Sequence, residues 1–129
     1  MLANFNYHCP HCQTQLNKGS QIEFLVGYKD HQKTPLLLSK EPGVYGYRSK
    51  HNLVIENGDK VDFYCHSCEE PLQSLKRPGL VEIQIWTDDA PYLDLFFSAT
   101  CGERLTYVEM EGELMRFGSD FFSIMKSRA

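Results

Sequence analysis

Cys9-Pro10-His11-Cys12 and Cys65-His66-Ser67-Cys68 are the two stretches on which the architecture turns. Two residues between paired cysteines let one tight turn aim both sulfurs at a common point, and two such turns supply four thiolates, the ligand set of a tetrahedral Zn²⁺. Cys9, Cys12, Cys65 and Cys68 are therefore the expected metal ligands. Residues 13–64 separate the pairs, a spacer of 52 residues. Simpler arrangements have about 15–20. Loop-closure entropy grows only logarithmically, so a threefold longer loop costs about 1 kcal/mol against roughly 10–16 kcal/mol of apparent structural zinc affinity. The metal term wins, and chelation is expected to melt at least the first half of the chain.

Outward from the cysteines, period-two alternation dominates and long 3.6-residue periodicity is absent, which reads as mainly β. Ile22, Phe24 and Val26 alternate in one strand, and a loop is expected at Lys29 to Lys33. Thr34 to Ser39 and Val44 to Arg48 flank Glu41-Pro42-Gly43 as a hairpin. Asn57-Gly58-Asp59 is the strongest hairpin signal, joining Leu53–Glu56 to Lys60–Tyr64 and delivering Cys65 at its end. After Arg77-Pro78-Gly79, strands at 81–86, 93–99, 105–110 and 113–117 read as a four-stranded antiparallel meander. Ser119 caps an expected short C-terminal helix with Phe121, Ile124 and Met125 along one stripe. No internal repeat is visible. The expected division is a zinc-binding half at 1–78, carrying a β-hairpin insertion at 19–59, and an antiparallel half at 79–129, packed as one unit.

With 129 residues and 42% hydrophobic content, the chain has enough apolar material for one core. No apolar run approaches the roughly 18 residues of a membrane span, and Met1-Leu2-Ala3-Asn4-Phe5 lacks the pattern of a secretion signal. A cytoplasmic protein without membrane contact is expected. In a reducing compartment paired cysteines serve metals or redox chemistry rather than disulfides, and the fifth, Cys101, lacks an obvious partner. The net charge of −4 disfavours nucleic acid, whose binding is driven by Lys and Arg. Charge is uneven, however: residues 29–51 hold five basic residues against two acids, whereas residues 80–113 hold one against eight.

His8, His11 and His66 flank the expected ligands as candidate supporting groups around the metal; four cysteines already fill the coordination shell. With no open position for water, the ion has a structural role rather than a catalytic one. The segment Val44 to His51 interleaves aromatics with cations, so Tyr45, Tyr47, Arg48 and Lys50 are the candidate nucleic-acid contacts, set against the simpler reading of an ordinary strand with solvated cations. Cys101, in Thr100-Cys101-Gly102, has no catalytic signature around it and reads as an inert thiol; Asp88 and Asp89 read as turn residues. Two readings are open for Trp86: it faces outward with Glu82 and Gln84, as a contact surface, or it lies under a second sheet or the final helix. No catalytic constellation stands out.

The paired Cys-x-x-Cys turns, each at a strand end, resemble the four-cysteine zinc-ribbon class over residues 4–17 and 60–75. That resemblance implies a structural Zn²⁺, favoured over iron because the turns lack the flanking glycines of rubredoxin-like sites: Gln13 and Glu69 stand there instead. Tyr7-His8-Cys9-Pro10-His11-Cys12 with Lys60-Val61-Asp62-Phe63-Tyr64-Cys65 also looks like small bacterial proteins with a β-rich insertion between the pairs. The functional expectation is a zinc-stabilised interaction module for a protein partner, with a second copy of the chain as another candidate. Nucleic-acid binding through residues 44–51 and a redox- or metal-responsive thiol switch are the alternatives.

Overall fold

Alternating burial along β3 (Gln21–Tyr28) puts Ile22, Phe24, Val26 and Tyr28 on one buried face, and β7 (Leu80–Trp86) does the same with Val81, Ile83 and Ile85. These two strands organise two antiparallel sheets. The computed structural model describes residues 6–29, 31–39, 47–49, 53–86, 93–103, 106–110 and 112–116, and no helix occurs among them. One sheet runs β1 (Asn6–His8), β7, β8 (Leu93–Ser98), β9 (Thr106–Met110) and β10 (Glu113–Arg116). The other runs β2 (Asn17–Lys18), β3, β4 (His31–Ser39) and β5 (Tyr47–Ser49), with β6 (Asp62–Cys65) also on β3.

The fold is mainly β, and the meander β7–β10 has the expected order. β4 and β5 pair antiparallel as expected, with Leu38 opposite Tyr47 and Leu36 opposite Ser49. Three expectations need correction. β4 starts at His31, so the link after β3 is tighter than a Lys29–Lys33 loop. Asn57-Gly58-Asp59 makes a turn, with Gly58 at φ +93° and the Asp59 N–H donating to the Glu56 carbonyl, yet residues 53–56 form no strand. Their backbone groups go to tyrosine hydroxyls instead: Ile55 N–H donates to Tyr47 Oη at 2.7 Å and Glu56 N–H to Tyr28 Oη at 3.3 Å. β6 consequently pairs with β3 rather than with its sequence neighbour.

The third correction is that the chain repeats itself. Ile22↔Leu38, Phe24↔Leu36 and Val26↔Thr34 in the β3–β4 hairpin recur as Val81↔Phe97, Ile83↔Leu95 and Ile85↔Leu93 in β7–β8, every position shifted by 59. Leu36↔Ser49 and Leu38↔Tyr47 recur with the same shift as Leu95↔Val108 and Phe97↔Thr106. The first strand of each unit is exchanged. Tyr7 of β1 pairs with Ile85 in the second unit, while Phe63 of β6 pairs with Val26 in the first. The contact pattern therefore has an approximate internal two-fold, and each sheet contains a strand from the other unit.

Between the sheets, Phe24 (β3), Phe63 (β6) and Phe97 (β8) form an aromatic triad with ring centroids 5.2–5.7 Å apart. The buried cluster takes residues from both 1–78 and 79–129, among them Leu16, Phe24, Leu72, Ile83 and Val108. The expected C-terminal helix and the turns at 41–43 and 88–91 lie outside the described residues.

Candidate metal centre

Each cysteine pair sits in a reversing loop built from the same hydrogen bonds. Cys9 N–H donates to Thr14 O at 3.0 Å and Gln13 N–H to Cys9 O at 2.9 Å; Cys65 N–H donates to Glu70 O at 3.1 Å and Glu69 N–H to Cys65 O at 3.0 Å. Leu16 N–H to Tyr7 O and Leu72 N–H to Phe63 O close the two hairpins. These loops are equivalent at a shift of 56, which becomes 59 further on because the second unit carries three extra residues before β7.

Reversal inside each loop requires a left-handed residue, which falls on Gln13 (φ 67°) and Glu69 (φ 60°). Such a conformation costs an L-residue about 1–2 kcal/mol, whereas glycine adopts it freely but loses about 0.5–1 kcal/mol in chain entropy. Gln13→Gly and Glu69→Gly are each expected to stabilise the protein by up to about 1 kcal/mol, read as a rise in denaturation midpoint.

The two loops face one another across the internal two-fold. Cys9 Sγ lies 3.8 Å from Cys68 Sγ, and the equivalent pair, Cys12 and Cys65, is 3.7 Å apart. All four sulfurs lie within 4.8 Å of one another. A tetrahedron with metal–sulfur bonds of about 2.3 Å has edges of about 3.8 Å, so the donor set fits such an ion. Disulfides need about 2.05 Å, and all five cysteines are free. These four cysteines could hold a metal ion. No family model, curated protein or solved structure matches the chain.

Burial and hydrogen bonding set the thiols apart. Cys9 and Cys65 are fully buried, Cys68 is half-buried and Cys12 is exposed. Backbone N–H groups point at the buried sulfurs: His11 to Cys9 at 3.3 Å, Ser67 to Cys65 at 3.3 Å and Cys68 to Cys65 at 3.4 Å. They offset negative charge that four thiolates would bring. Desolvation pushes the Cys9 thiol up to about 12, against the pull of backbone N–H groups. The Thr14 hydroxyl, 3.2 Å from Cys12 Sγ, is the main cause of the fall of that thiol to about 6. Desolvation raises Cys68 as well.

Metal uptake near pH 8 must therefore displace protons from Cys9 and Cys68, which hold them when the site is metal-free. Proton release on titration with Zn²⁺ in weak buffer, with affinity rising as pH rises, is the expected result. Affinity independent of pH between 6 and 8 would contradict it.

His8 and His11 brace the loops, and none of the three histidines joins the sulfur cluster. His8 Nδ1 is 2.8 Å from the Gln13 carbonyl, and its ring stacks on Trp86 at 4.2 Å. His11 Nε2 reaches the Pro71 carbonyl at 3.0 Å, linking one loop to the other hairpin. His66 Nε2 is buried without a hydrogen-bond partner among the described residues. Cys101 stands apart, its Sγ 3.6 Å from the Ile55 carbonyl and 3.7 Å from Asn57 Oδ1. Sequence reasoning missed Thr14, although a hydroxyl two residues after a ligand is a usable signal.

Of the candidate nucleic-acid contacts, Tyr45 and Lys50 lie outside the described residues. Tyr47 packs against the core with its hydroxyl on Ile55, whereas Arg48 is exposed, so the two occupy opposite faces of β5. Trp86 is exposed, as one expectation had it, with His8 stacked on it and its Nε1 donating to Gln84 Oε1 at 3.1 Å. Among the described residues no helix is long and apolar enough to cross a membrane.

Proposed function

We propose that the cysteine cluster holds a structural Zn²⁺ and that the metal-stapled, duplicated β scaffold is a binding module for another protein in the cytoplasm. The observation that carries the metal assignment is the pair of equivalent sulfur distances, 3.8 and 3.7 Å, spaced as the edges of a four-thiolate tetrahedron. Four ligands saturate the ion and leave no position for water, which supports a structural role. Zinc is preferred to iron because the ribbon-like loops carry Gln13 and Glu69 at their left-handed positions, not the glycines of rubredoxin-like turns. Residues 1–78 and 79–129 act as one unit in this reading, since β1 of the first part pairs with β7 of the second and the buried cluster draws on both. A partner protein suits the net charge of −4 better than a polyanion does.

Elemental analysis of protein purified without added metal is expected to find one zinc per chain, lost in the Cys9→Ser, Cys65→Ser double variant. Stoichiometric iron with visible absorbance would replace the zinc assignment, and absence of both would end it. A nuclease-treated affinity pull-down from the source organism is expected to retain a protein. Recovery of nucleic acid alone would transfer the reading to the polyanion alternative.

A further inference from the structure

We infer that the outer face of the β3–β4–β5–β6 sheet docks an acidic, apolar segment of a partner protein, an inference that rests on the reading of this chain as a protein-binding module. Internal duplication supplies the comparison, because the twin face on the other sheet shows what this surface lacks.

Facing away from the shared core, Leu25 lies between Pro35 and Tyr64, and Leu37 lies between Glu23 and Arg48. Leu25, Pro35, Leu37 and Tyr64 are all half-buried, forming an apolar row across three strands. The equivalent positions on the twin sheet are Gln84, Asp94, Phe96 and His8. Two of these are polar, Asp94 half-buried and Gln84 buried with its Oε1 accepting from Trp86 Nε1, and His8 is half-buried. The remaining one, Phe96, is fully buried because the chain covers it. The loop before β7 is three residues longer than its counterpart before β3, and it lays the Arg77 guanidinium over Phe96, 5.3 Å from the ring centroid. Arg77 pairs with Glu109 at 2.9 Å and Lys76 with Asp94 at 3.2 Å, which tie the loop down. Without those three residues, the first unit has no such cover for Leu37 among the described residues. A contiguous apolar row that the described residues leave partly exposed, rimmed by charge, is the signature of an interaction surface.

The rim specifies the occupant. Lys33 and Arg48 are exposed on this face and belong to the basic stretch 29–51, with five basic residues against two acids. Arg48 forms no ion pair among the described residues. Lys33 sits 4.1 Å from the Tyr64 ring centroid and 3.9 Å from Glu69, a solvent-exposed pair that a partner carboxylate can replace at little cost. Two acids lie on the same face: Asp62 at its end beside Gly27, and Glu23 opposite Leu37, which pairs with Lys18 at 3.8 Å. Carboxylates set around one or two large apolar side chains complement both row and rim. On the twin sheet the roles are reversed: acids on the strands receive cations from the loop.

The test uses zinc-loaded, full-length protein and two short synthetic peptides, one with Glu flanking Leu and Phe, the other with Lys in place of each Glu. Fluorescence anisotropy should show saturable binding of the Glu peptide alone, weakened about tenfold or more in the Lys33→Glu, Arg48→Glu variant, whose exposed positions leave the circular dichroism unchanged. Equal binding of both peptides, or indifference to the charge reversal, would overturn the inference. So would a concentration-dependent rise in mass of the protein alone that the variant abolishes, which assigns the face to a second copy, or displacement of the peptide by oligothymidine at lower concentration. A pull-down partner held equally by wild type and variant would leave the module reading intact and refute this face. No retained protein at all would refute the module itself.

Discussion

A chelator that competes for four thiolates is expected to unfold both sheets together. The cysteine loops carry β1 and β6, and these are the exchanged strands: Tyr7 pairs with Ile85 in one sheet, Phe63 with Val26 in the other. Loss of the ion frees both loops at once. Apparent zinc affinities of about 10–16 kcal/mol match or exceed the roughly 5–15 kcal/mol by which domains are stable, so little native population should survive. Trp86 provides a local reporter, because its ring stacks on His8 of β1 and should change fluorescence as β1 departs. Amide exchange in β3 and β6 should accelerate at the same chelator concentration. An apo protein with unchanged circular dichroism and melting temperature would refute the structural role, and exchange confined to one sheet would refute the coupling.

Phe24→Ala should be the most damaging single core substitution, at about 3–5 kcal/mol. Phe24 is fully buried on β3, meets Phe63 edge-on at 5.2 Å and lies 5.7 Å from Phe97, so one truncation opens a void touching both sheets. The strands around it are pinned by pairing on both edges of β3, which limits collapse into the gap. Phe24→Leu, retaining most of the volume, should cost less than half as much. Chemical denaturation of zinc-loaded protein measures both, and near-equal losses would mean that the ring's own edge-to-face packing, rather than apolar volume, carries the stability.

Apolar residues at every second position were enough to place β3, β7 and β8, because that period is the signature of a strand. The cysteine spacing pointed to the sulfur cluster for a comparable reason: few side chains do that chemistry. Strand exchange left no such mark, since nothing in Asn6-Tyr7-His8 encodes that its neighbour lies near residue 85. The duplication was hidden by divergence and by a changing shift. Beyond the cysteines, only scattered matches such as Tyr7 with Phe63, Leu16 with Leu72, Glu23 with Glu82 and Ser39 with Ser98 survive, and the three extra residues break their spacing. Asn57-Gly58 misled because a turn propensity constrains the turn alone; Tyr28 and Tyr47 claim the flanking backbone by contacts distant in sequence. Tertiary competition of this kind is invisible to a local window.

The ribosome makes β1 well before the strand that receives it, which ends at Trp86. A nascent chain that has exposed only its first cysteine pair can neither complete a sheet nor fill a coordination sphere, because Cys65 and Cys68 are still to come. Assembly is thereby postponed until Trp86 has been translated, and a metal ion held by the four cysteines would be captured late, joining the two units in one step.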